Sequence, residues 1–398
     1  MGVYDVIIVG GGVIGCSIAY HLSLLKRCRL LIIEKSGIAG GASGSCDGIL
    51  SVLSKKGGIH LELALESLSM LKGLSRELPL DIEFREIPGM VIIEDQGYVP
   101  FMEKFVSEQK RTTDLEIDFL NAKEARRFEP LLSPKIVGAV RSPQNGQANP
   151  IYLTYAFFEG ACLRGAELKR EEVLRIERRA SDGFKVTTSI GSYESERVVL
   201  SAGAWSPLIP VTLGVKIPIK PRRGQILVTE PVERAINHTI LSSRYIVAKY
   251  GVDTGGKEGL ALEQTHHGSF LIGATREFVG YDRRVTSSAF ERIAQTAIEA
   301  FPFLRGLRVI RAFAGLRPWT PDGLPIIDDI DGLVLACGHE GDGICLSAVT
   351  GRLVSELMVY GRASFDLYHF SLRRFSDSSA LYELLTKGAE KASLNPKV

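Results

Sequence analysis

The fold of this 398-residue chain is decided by the stretch Asp5-Val-Ile-Ile-Val-Gly-Gly-Gly-Val-Ile-Gly15. Residues 5–9 form a short, mostly apolar and β-branched run, which is typical of a buried parallel strand. Residues 16–27 have helical spacing, and residues 29–33 form a second apolar strand. Together these segments predict a βαβ unit, with a glycine-rich turn between its first strand and its helix.

The turn carries the G-x-G-x-x-G pattern at Gly10, Gly12 and Gly15. In this context the first glycine permits the tight turn, the second lets a pyrophosphate approach the backbone, and the third lets the helix and strand pack closely. Glu34 follows Gly15 by 19 residues, where a carboxylate hydrogen-bonds a ribose diol. The pattern predicts a dinucleotide at the helix N-terminus; the alternative is a glycine-rich turn that binds nothing.

Two further stretches favour FAD over NAD. Residues 198–206 are a strand that runs into a turn of small residues, and residues 332–345 are a strand, a glycine-rich loop and a helix start. A second helix N-terminus at the cofactor could stabilise negative charge at the pyrimidine end of a reduced flavin. Taken singly, the first stretch could be an ordinary strand end and the second a loop that caps a helix. Three glycine-rich strand ends together predict one long ligand.

Composition indicates a globular protein, since 45% of the residues are hydrophobic and 24% are charged. Lys and Arg number 48 against 46 Asp and Glu, so the formal net charge is +2 and no nucleic-acid partner is predicted. The length predicts two domains, consecutive or interleaved.

The cysteines predict a reducing environment. They stand at positions 16, 28, 46, 162, 337 and 345, and none is paired as C-x-x-C, so neither zinc nor an iron–sulfur cluster is predicted within this chain. The chain enters a strand pattern directly after its first residues, and no apolar run without charges reaches 18 residues, so neither a signal peptide nor a transmembrane segment is predicted. We expect a soluble protein in the cytoplasm.

The rest of the chain alternates strand-like and helix-like segments. Strands are predicted at 90–93, 173–177, 184–188, 197–201, 225–229, 245–249, 260–264, 270–274 and 333–337. Helices are predicted at 61–77, 121–129, 151–164, 287–300 and 344–360. Residues 133–150, which contain three prolines, predict a crossing between domains.

Several of these segments resemble the D-amino-acid oxidase superfamily of flavoproteins. Within it, the chain is most similar to the group of glycine oxidases, sarcosine oxidase β-subunits and proline or hydroxyproline dehydrogenase β-subunits. The resemblance covers about residues 3–375 in order and is carried by residues 5–15, 34–49, 147–155, 198–206, 269–282, 315–328 and 337–346. It implies an α/β fold, in which a Rossmann-type FAD-binding domain is interleaved with a substrate domain built on an antiparallel sheet (α+β).

The resemblance also implies domain boundaries and cofactor contacts. The FAD-binding domain would comprise residues 1–84, 147–214 and 317–375, the substrate domain 85–146 and 215–316, and a tail 376–398. The expected FAD contacts are Gly10, Gly12, Val13, Ile14, Gly15, Glu34, Lys35, Ala42, Ser43, Asp47, Gly48, Ile49, Val173, Ala202, Gly203, Trp205, Gly338, Glu340, Gly341, Asp342, Gly343 and Ile344.

Three residues are candidates for contact with the substrate. Arg317, in Gly-Leu-Arg-Pro-Trp-Thr-Pro-Asp-Gly, matches the family segment whose arginine binds the substrate carboxylate. A guanidinium suits that role because it forms a two-pronged pair with a carboxylate and keeps its charge when desolvated. Tyr245 matches a family tyrosine that holds the same carboxylate, and His339 is either a general base or a contact of the flavin loop. By residue type alone, a structural arginine and a core tyrosine remain alternatives.

Some positions depart from the family pattern. Asp47 stands where many relatives have a small residue, and could tune the flavin, recognise an amine or only cap its loop. Cys46 could be a redox-active thiol, but an inert small residue is expected. The lysines at 55–56 could line the pocket, but they are expected to be solvated. Monomeric sarcosine oxidases carry a lysine near the flavin for reaction with oxygen, whereas the comparable strand 269–273 has none. Those enzymes tether flavin through a cysteine in the segment of Arg317, so non-covalent FAD is predicted.

The resemblance implies hydride transfer from the Cα–H of a small amino or imino acid, such as glycine, sarcosine, proline, hydroxyproline or a D-amino acid, to flavin N5. A dehydrogenase that passes its electrons to an iron–sulfur or other acceptor subunit is favoured over an oxidase that produces hydrogen peroxide. A flavin-binding protein without turnover is a further alternative, and an aromatic hydroxylase a fourth. A homo- or hetero-oligomer is possible. The adjacent histidines at 266–267 point to opposite faces of a strand, so they predict no metal site.

Overall fold

The computed structural model describes residues 3–250 and 258–375, so the tail predicted at 376–398 lies outside the described residues. Its helices are α1 (Val13–Leu25), α2 (Ile59–Glu77), α3 (Val99–Thr112), α4 (Ala122–Phe128), α5 (Pro150–Cys162), α6 (Ser243–Lys249), α7 (Ser287–Ala300) and α8 (Ser347–Tyr360). Its strands are β1 (Tyr4–Val9), β2 (Leu30–Ile33), β3 (Ile49–Leu50), β4 (Gly89–Ile93), β5 (Asp118–Asn121), β6 (Gly138–Ser142), β7 (Gly146–Gln147), β8 (Glu167–Lys169), β9 (Val173–Arg178), β10 (Phe184–Thr188), β11 (Ser192–Leu200), β12 (Lys220–Thr229), β13 (Thr239–Ser242), β14 (Ala261–Gln264), β15 (Phe270–Gly273), β16 (Val309–Trp319), β17 (Ile326–Ile330) and β18 (Leu333–Cys337).

The first sheet has the strand order β17-β18-β11-β1-β2-β8, and its strands from β18 to β8 run parallel. Strand β10 extends it as an antiparallel partner of β11, and β9 pairs antiparallel with β10. Every residue of β2 and β18 is buried, as expected of parallel strands that are covered on both faces. The predicted βαβ unit is therefore confirmed as the centre of this sheet.

Helices α1, α5 and α8 form a layer on the first sheet. The rings of Tyr20 in α1 and Phe157 in α5 lie 5.6 Å apart between centroids. A Cβ placed on Gly351 of α8 would lie 2.2 Å from Oγ of Ser17 in α1. Only glycine at this position allows α8 to approach α1 so closely, and the contact orients the loop between β18 and α8 over the end of β1.

The second sheet has the order β16-β12-β15-β14-β13-β4-β6-β5 and is antiparallel except for the pair β13–β4. Helix α7 covers one face, and its first turn is capped by the Thr286 side chain, which accepts a hydrogen bond from the N–H of Ala289. The short strands β3 and β7 form a separate two-stranded antiparallel sheet. The mixed α/β class with two large sheets agrees with the sequence prediction.

One predicted segment is wrong. Residues 245–249 were expected to be a strand, but they belong to α6, because the Ser242 side chain caps that helix by accepting a hydrogen bond from the N–H of Tyr245. Residues 133–150, expected to be a crossing between domains, contain β6 of the second sheet and lead to α5, which packs on α1. Strand β16 continues across the boundary predicted between residues 316 and 317, and the domain division stays a prediction.

Candidate active site

One cavity of about 620 Å³ extends along the carboxyl ends of β1, β11 and β18. Glu34 and Val173 line it beside the first sheet, and its lining also includes Tyr245 of α6 and Arg317 of β16. Carboxyl ends of parallel strands are the general location of ligand sites in open α/β sheets. The cavity thus joins the glycine-rich turn to residues of the second sheet and of α6.

The glycine-rich turn is shaped by close backbone contacts. Gly10 has a φ of +116°, and a Cβ on it would lie 2.5 Å from the carbonyl oxygen of Ser201. A Cβ on Gly15 would lie 2.1 Å from the carbonyl oxygen of Gly10. No side chain fits at either position, so backbone lines this part of the cavity and leaves room for a pyrophosphate.

The carboxylate of Glu34 is held at the end of β2 by two backbone N–H groups. Its Oε2 accepts a hydrogen bond from Gly11 at 2.8 Å and its Oε1 accepts one from Ser36, also at 2.8 Å. Each oxygen retains a lone pair, which suits a ribose hydroxyl. At the start of α1, the N–H of Val13 donates to Oγ of Ser43 at 2.9 Å, so a hydroxyl and a helix N-terminus occur together where phosphate is expected.

The loop after β18 closes another side of the cavity. Gly338 has a φ of +76°, and Gly338, His339, Glu340, Gly341, Gly343 and Ile344 line the space. Burial lowers the pKa of His339 to about 3, so its imidazole is neutral, and its Nε2 lies 3.1 Å from Oγ1 of Thr350. A neutral imidazole held by Thr350 fits the expected role of a contact in the flavin loop better than the role of a general base.

Three of the expected FAD contacts lie outside the cavity lining. Gly15 and Gly48 support it from behind, and the carboxylate of Asp342 points away from it. Asp342 lies 2.9 Å from Nζ of Lys55 and 2.8 Å from Nζ of Lys249. These two lysines outweigh burial and hold the pKa of Asp342 well below its ordinary value. The expectation that Lys55 is solvated is wrong, because only 1% of the residue is exposed.

Arg317 and Tyr245 converge on the loop after β18. A Cβ placed on Gly341 would lie 3.6 Å from Nε of Arg317 and 3.9 Å from Oη of Tyr245. Arg317 donates from Nη1 to the carbonyl oxygen of Thr275 at 2.9 Å, which leaves Nη2 and Nε directed elsewhere. Burial raises the pKa of Tyr245, so its hydroxyl stays protonated and can donate. Both groups suit a carboxylate at this end of the cavity.

The guanidinium of Arg317 occupies the space above Gly224. These residues lie on adjacent strands, since Gly224 pairs with Gly315 and Arg222 pairs with Arg317 across β12 and β16. A Cβ on Gly224 would lie 2.3 Å from Nη1 of Arg317. The missing side chain at Gly224 therefore allows Arg317 to lie flat against the sheet.

Sequence reasoning missed the partners of Asp47. Asp47 lines the cavity, and the N–H of the next residue, Gly48, donates to Oε1 of Glu263 at 2.8 Å. Burial and the charge of Asp47 raise the pKa of Glu263 to about 8. Burial also raises the pKa of Asp47, against the opposing N–H of Ile49 and the charge of Arg317. The partly buried Asp47 and the buried Glu263 behind it thus influence each other's ionisation.

Arg222, Arg276 and Glu340 form a buried ion cluster that sequence reasoning did not predict as a group. Nη1 of Arg276 lies 3.0 Å from Oε1 of Glu340, which also pairs with Nη2 of Arg222. The guanidinium of Arg276 covers the ring of Tyr245 at 4.4 Å from the centroid. Arg276 stands in the matched segment 269–282, but only the sheet pairing brings it beside Arg317.

The described residues present no metal centre. Within residues 3–250 and 258–375, no group of three or more His, Cys, Asp and Glu side chains could hold a metal ion. His267 instead lies 3.0 Å from Oε1 of Glu83.

Among the described helices, none combines the length and the apolar character needed to cross a membrane.

The fold and the cavity define a dinucleotide-binding protein, and comparison with known proteins gives its family. The family described as FAD dependent oxidoreductase matches residues 5–357. The chain belongs to this family, and its cofactor is FAD. The backbone cradle at Gly10, the carboxylate of Glu34 and the length of the cavity fit that cofactor.

Several members resemble the whole chain. Glycine oxidase of Geobacillus kaustophilus is 31% identical, and the match covers 93% of this chain and 97% of that protein. A solved structure of glycine oxidase from this organism superposes with a TM-score of 0.86 at 29% identity, and it covers 94% of this chain and 99% of that chain. Hydrogen cyanide synthase subunit HcnC of Pseudomonas aeruginosa is 29% identical over 95% and 97%. The structure of L-proline dehydrogenase from P. horikoshii has a TM-score of 0.84 at 25% identity, over 94% and 98%.

Proposed function

We propose that this FAD-dependent oxidoreductase oxidises the Cα–N bond of a small amino or imino acid. The observation that carries the proposal is the convergence of Arg317 and Tyr245 on Gly341, in the loop that lines the FAD cavity. A carboxylate clamp at this position has a use only if an acid substrate is held against the cofactor. Relatives named glycine oxidase and L-proline dehydrogenase support the same substrate class.

The chain's own residues bind and orient the substrate. Arg317 would hold the carboxylate with its free N–H groups, while Tyr245 donates a further hydrogen bond. Bound FAD would supply the acceptor, at N5, for the hydride that leaves Cα. The nitrogen lone pair forms the C=N bond, and the proton of the substrate ammonium goes to water or to Asp47, which lines the cavity beside Arg317. The imine then hydrolyses, or stays cyclic for a proline-like substrate.

We propose that the electrons pass to a partner subunit, such as an iron–sulfur protein. Strand β15 carries no lysine, whereas the resemblance links rapid reaction with oxygen to such a residue. The name of the relative HcnC describes a subunit of a larger enzyme. We further propose that FAD is bound without a covalent bond and that the protein is cytoplasmic; its cysteines at 16, 28, 46, 162, 337 and 345 are free thiols.

An oxidase that uses oxygen is the second candidate. Lys55 and Lys249 are buried and both contact Asp342, in the loop that lines the cavity. A cation close to the reduced cofactor would favour the reaction with oxygen electrostatically.

The test is anaerobic reduction of the purified holoprotein. Its flavin absorbance is followed while glycine, sarcosine, both prolines, hydroxyprolines and D-amino acids are added, and air is then admitted. Bleaching by one compound supports the proposal, and slow recolouring in air supports the dehydrogenase over the oxidase. Arg317→Met should prevent bleaching, while the exposed Arg311→Met on the same strand is the matched control. If no amino or imino acid bleaches the flavin, the chain does not have this activity, and the alternative of a flavin-binding protein without turnover is favoured.

A further inference from the structure

Three arginines meet near the substrate end of the cavity: Arg317 lines it, while Arg222 and Arg276 lie outside its lining and contact the lining residue Glu340. Arg222 and Arg317 are directly paired across β12 and β16, and Arg276 follows Thr275, whose carbonyl oxygen accepts from Arg317. Glu340 is the carboxylate that pairs with Arg222 and Arg276. Three guanidiniums thus surround one fully ionised acid.

Two further carboxylates lie near this cluster. Asp47 lines the cavity, where burial raises its pKa and the charge of Arg317 opposes that rise. Behind the loop, Asp342 is matched by the two buried lysines at 55 and 249.

Arg276 is the guanidinium with free capacity. Its side chain is only 10% exposed, and its Nη2 has no hydrogen-bond partner in the structure, although buried polar atoms are nearly always paired. The same guanidinium covers the ring of Tyr245 and contacts Glu340, and both of these residues line the cavity. A buried donor at this position, beside the arginine expected to bind the substrate, has the properties of a second anion-binding group.

We propose that the site is built for an amino or imino acid that carries two carboxylates, with Arg317 binding the carboxylate next to the reacting carbon and Arg276 binding the second. This inference rests on the proposed function and narrows its substrate class. Arg222 acts as a positioning residue, because it shares Glu340 with Arg276 and thereby fixes the direction in which Nη2 of Arg276 points. An N-(carboxyalkyl) amino acid or a short acidic amino acid has the required chemistry.

The test uses ligands that cannot be oxidised at a C–N bond. Thiodiacetate carries two carboxylates on either side of a sulfur atom, and (methylthio)acetate carries one. Binding of each to the holoprotein is measured by the perturbation of the flavin absorbance. We expect thiodiacetate to bind at least tenfold more tightly, which corresponds to about 1.4 kcal/mol.

Variants identify the residue responsible. Arg276→Met should reduce the ratio of the two dissociation constants to near one, mainly by weakening thiodiacetate. Arg276→Lys should retain part of the preference, because the charge remains but the fork of donors is lost. Arg311→Met, an exposed residue on β16, should leave the ratio unchanged.

Equal affinity of the two ligands for the unchanged protein would overturn the proposal, since a single carboxylate would then be shared by both arginines. An unaltered preference in Arg276→Met would overturn the assignment to Arg276. If Arg276→Met does not fold, Arg276→Lys and the unchanged protein still decide. Because the ligands are inert, a failure of the proposed function appears separately, as tight thiodiacetate binding without bleaching by any amino acid.

Discussion

Arg222 and Arg317 face each other at one register position of the antiparallel pair β12–β16, with Gly224 and Gly315 paired two residues further along. Gly224 leaves the space into which Arg317 folds, while Arg222 is held by Glu340. The two positive charges at these paired positions are tolerated because Glu340 neutralises Arg222 inside the protein. The charge of Arg317 is left for a ligand.

Arg317→Lys should weaken substrate binding while FAD remains bound. Lysine keeps the charge but loses the planar fork, and hydrogen bonds to charged groups are worth about 1.5–3 kcal/mol, so we expect a loss of about 10- to 100-fold in affinity. The measurement is an anaerobic titration of flavin bleaching with the substrate identified by the panel. An affinity equal to that of the unchanged protein would remove Arg317 from the substrate site.

Gly224→Ala should also weaken substrate binding, although it leaves the residue Arg317 itself unchanged. The new Cβ would fall 2.3 Å from Nη1 of Arg317, and because this is the end of a flexible side chain, the guanidinium must move. We expect weaker binding of substrate and little change in melting temperature. The matched control is Gly191→Ala, where a Cβ meets nothing within 4 Å. Unchanged binding in Gly224→Ala would show that the position of Arg317 is not critical.

Asp342→Asn should destabilise the protein strongly. Lys55 and Lys249 would lose their shared counter-charge while remaining buried, which typically costs about 3–5 kcal/mol. Urea unfolding of the holoprotein measures the loss. The double variant Asp342→Asn with Lys249→Met should recover part of the stability, because one unpaired charge is removed. Absence of any recovery would mean that the geometry of the loop, rather than its charge, is responsible.

The stability contributed by Glu263 should fall as the pH rises. Its pKa is raised by burial from 4.5 to about 8 in the folded protein, so the folded state binds the proton more tightly than the unfolded state does. This contribution is fully present below about pH 4.5 and is lost progressively as the pH approaches 8. Glu263→Gln should flatten that part of the dependence of melting temperature on pH. An identical slope in both proteins would contradict a protonated Glu263.

The nucleotide half of the site could be predicted almost completely from the sequence. Gly10, Gly15 and Glu34 follow a local pattern, in which a strand, a turn and a helix are contiguous in the chain. The structure confirms the strand and helix around them, since backbone sterics and hydrophobic periodicity act over a few residues.

Two other local predictions were wrong for different reasons. Residues 245–249 have an apolar run that fits a strand or a buried helix, and the capping side chain of Ser242, a local signal, decides for α6. Lys55 looks like a surface residue, but Asp342 at the opposite end of the sequence pairs with it inside the protein. That pairing could not be found from short-range patterns.

The sequence alone determined the class of this protein: a βαβ unit with its phosphate-binding turn, and a family resemblance that extends over most of the chain. Only the tertiary structure decided the composition of the substrate end, where Arg222, Arg276 and Arg317 come from different strands or their flanks and meet Glu340 from a distant loop. The physical reason is the distance along the sequence over which each kind of interaction acts. Turn geometry and periodicity are fixed by neighbours in sequence, whereas the balance of buried charge depends on which strands pair and in which register.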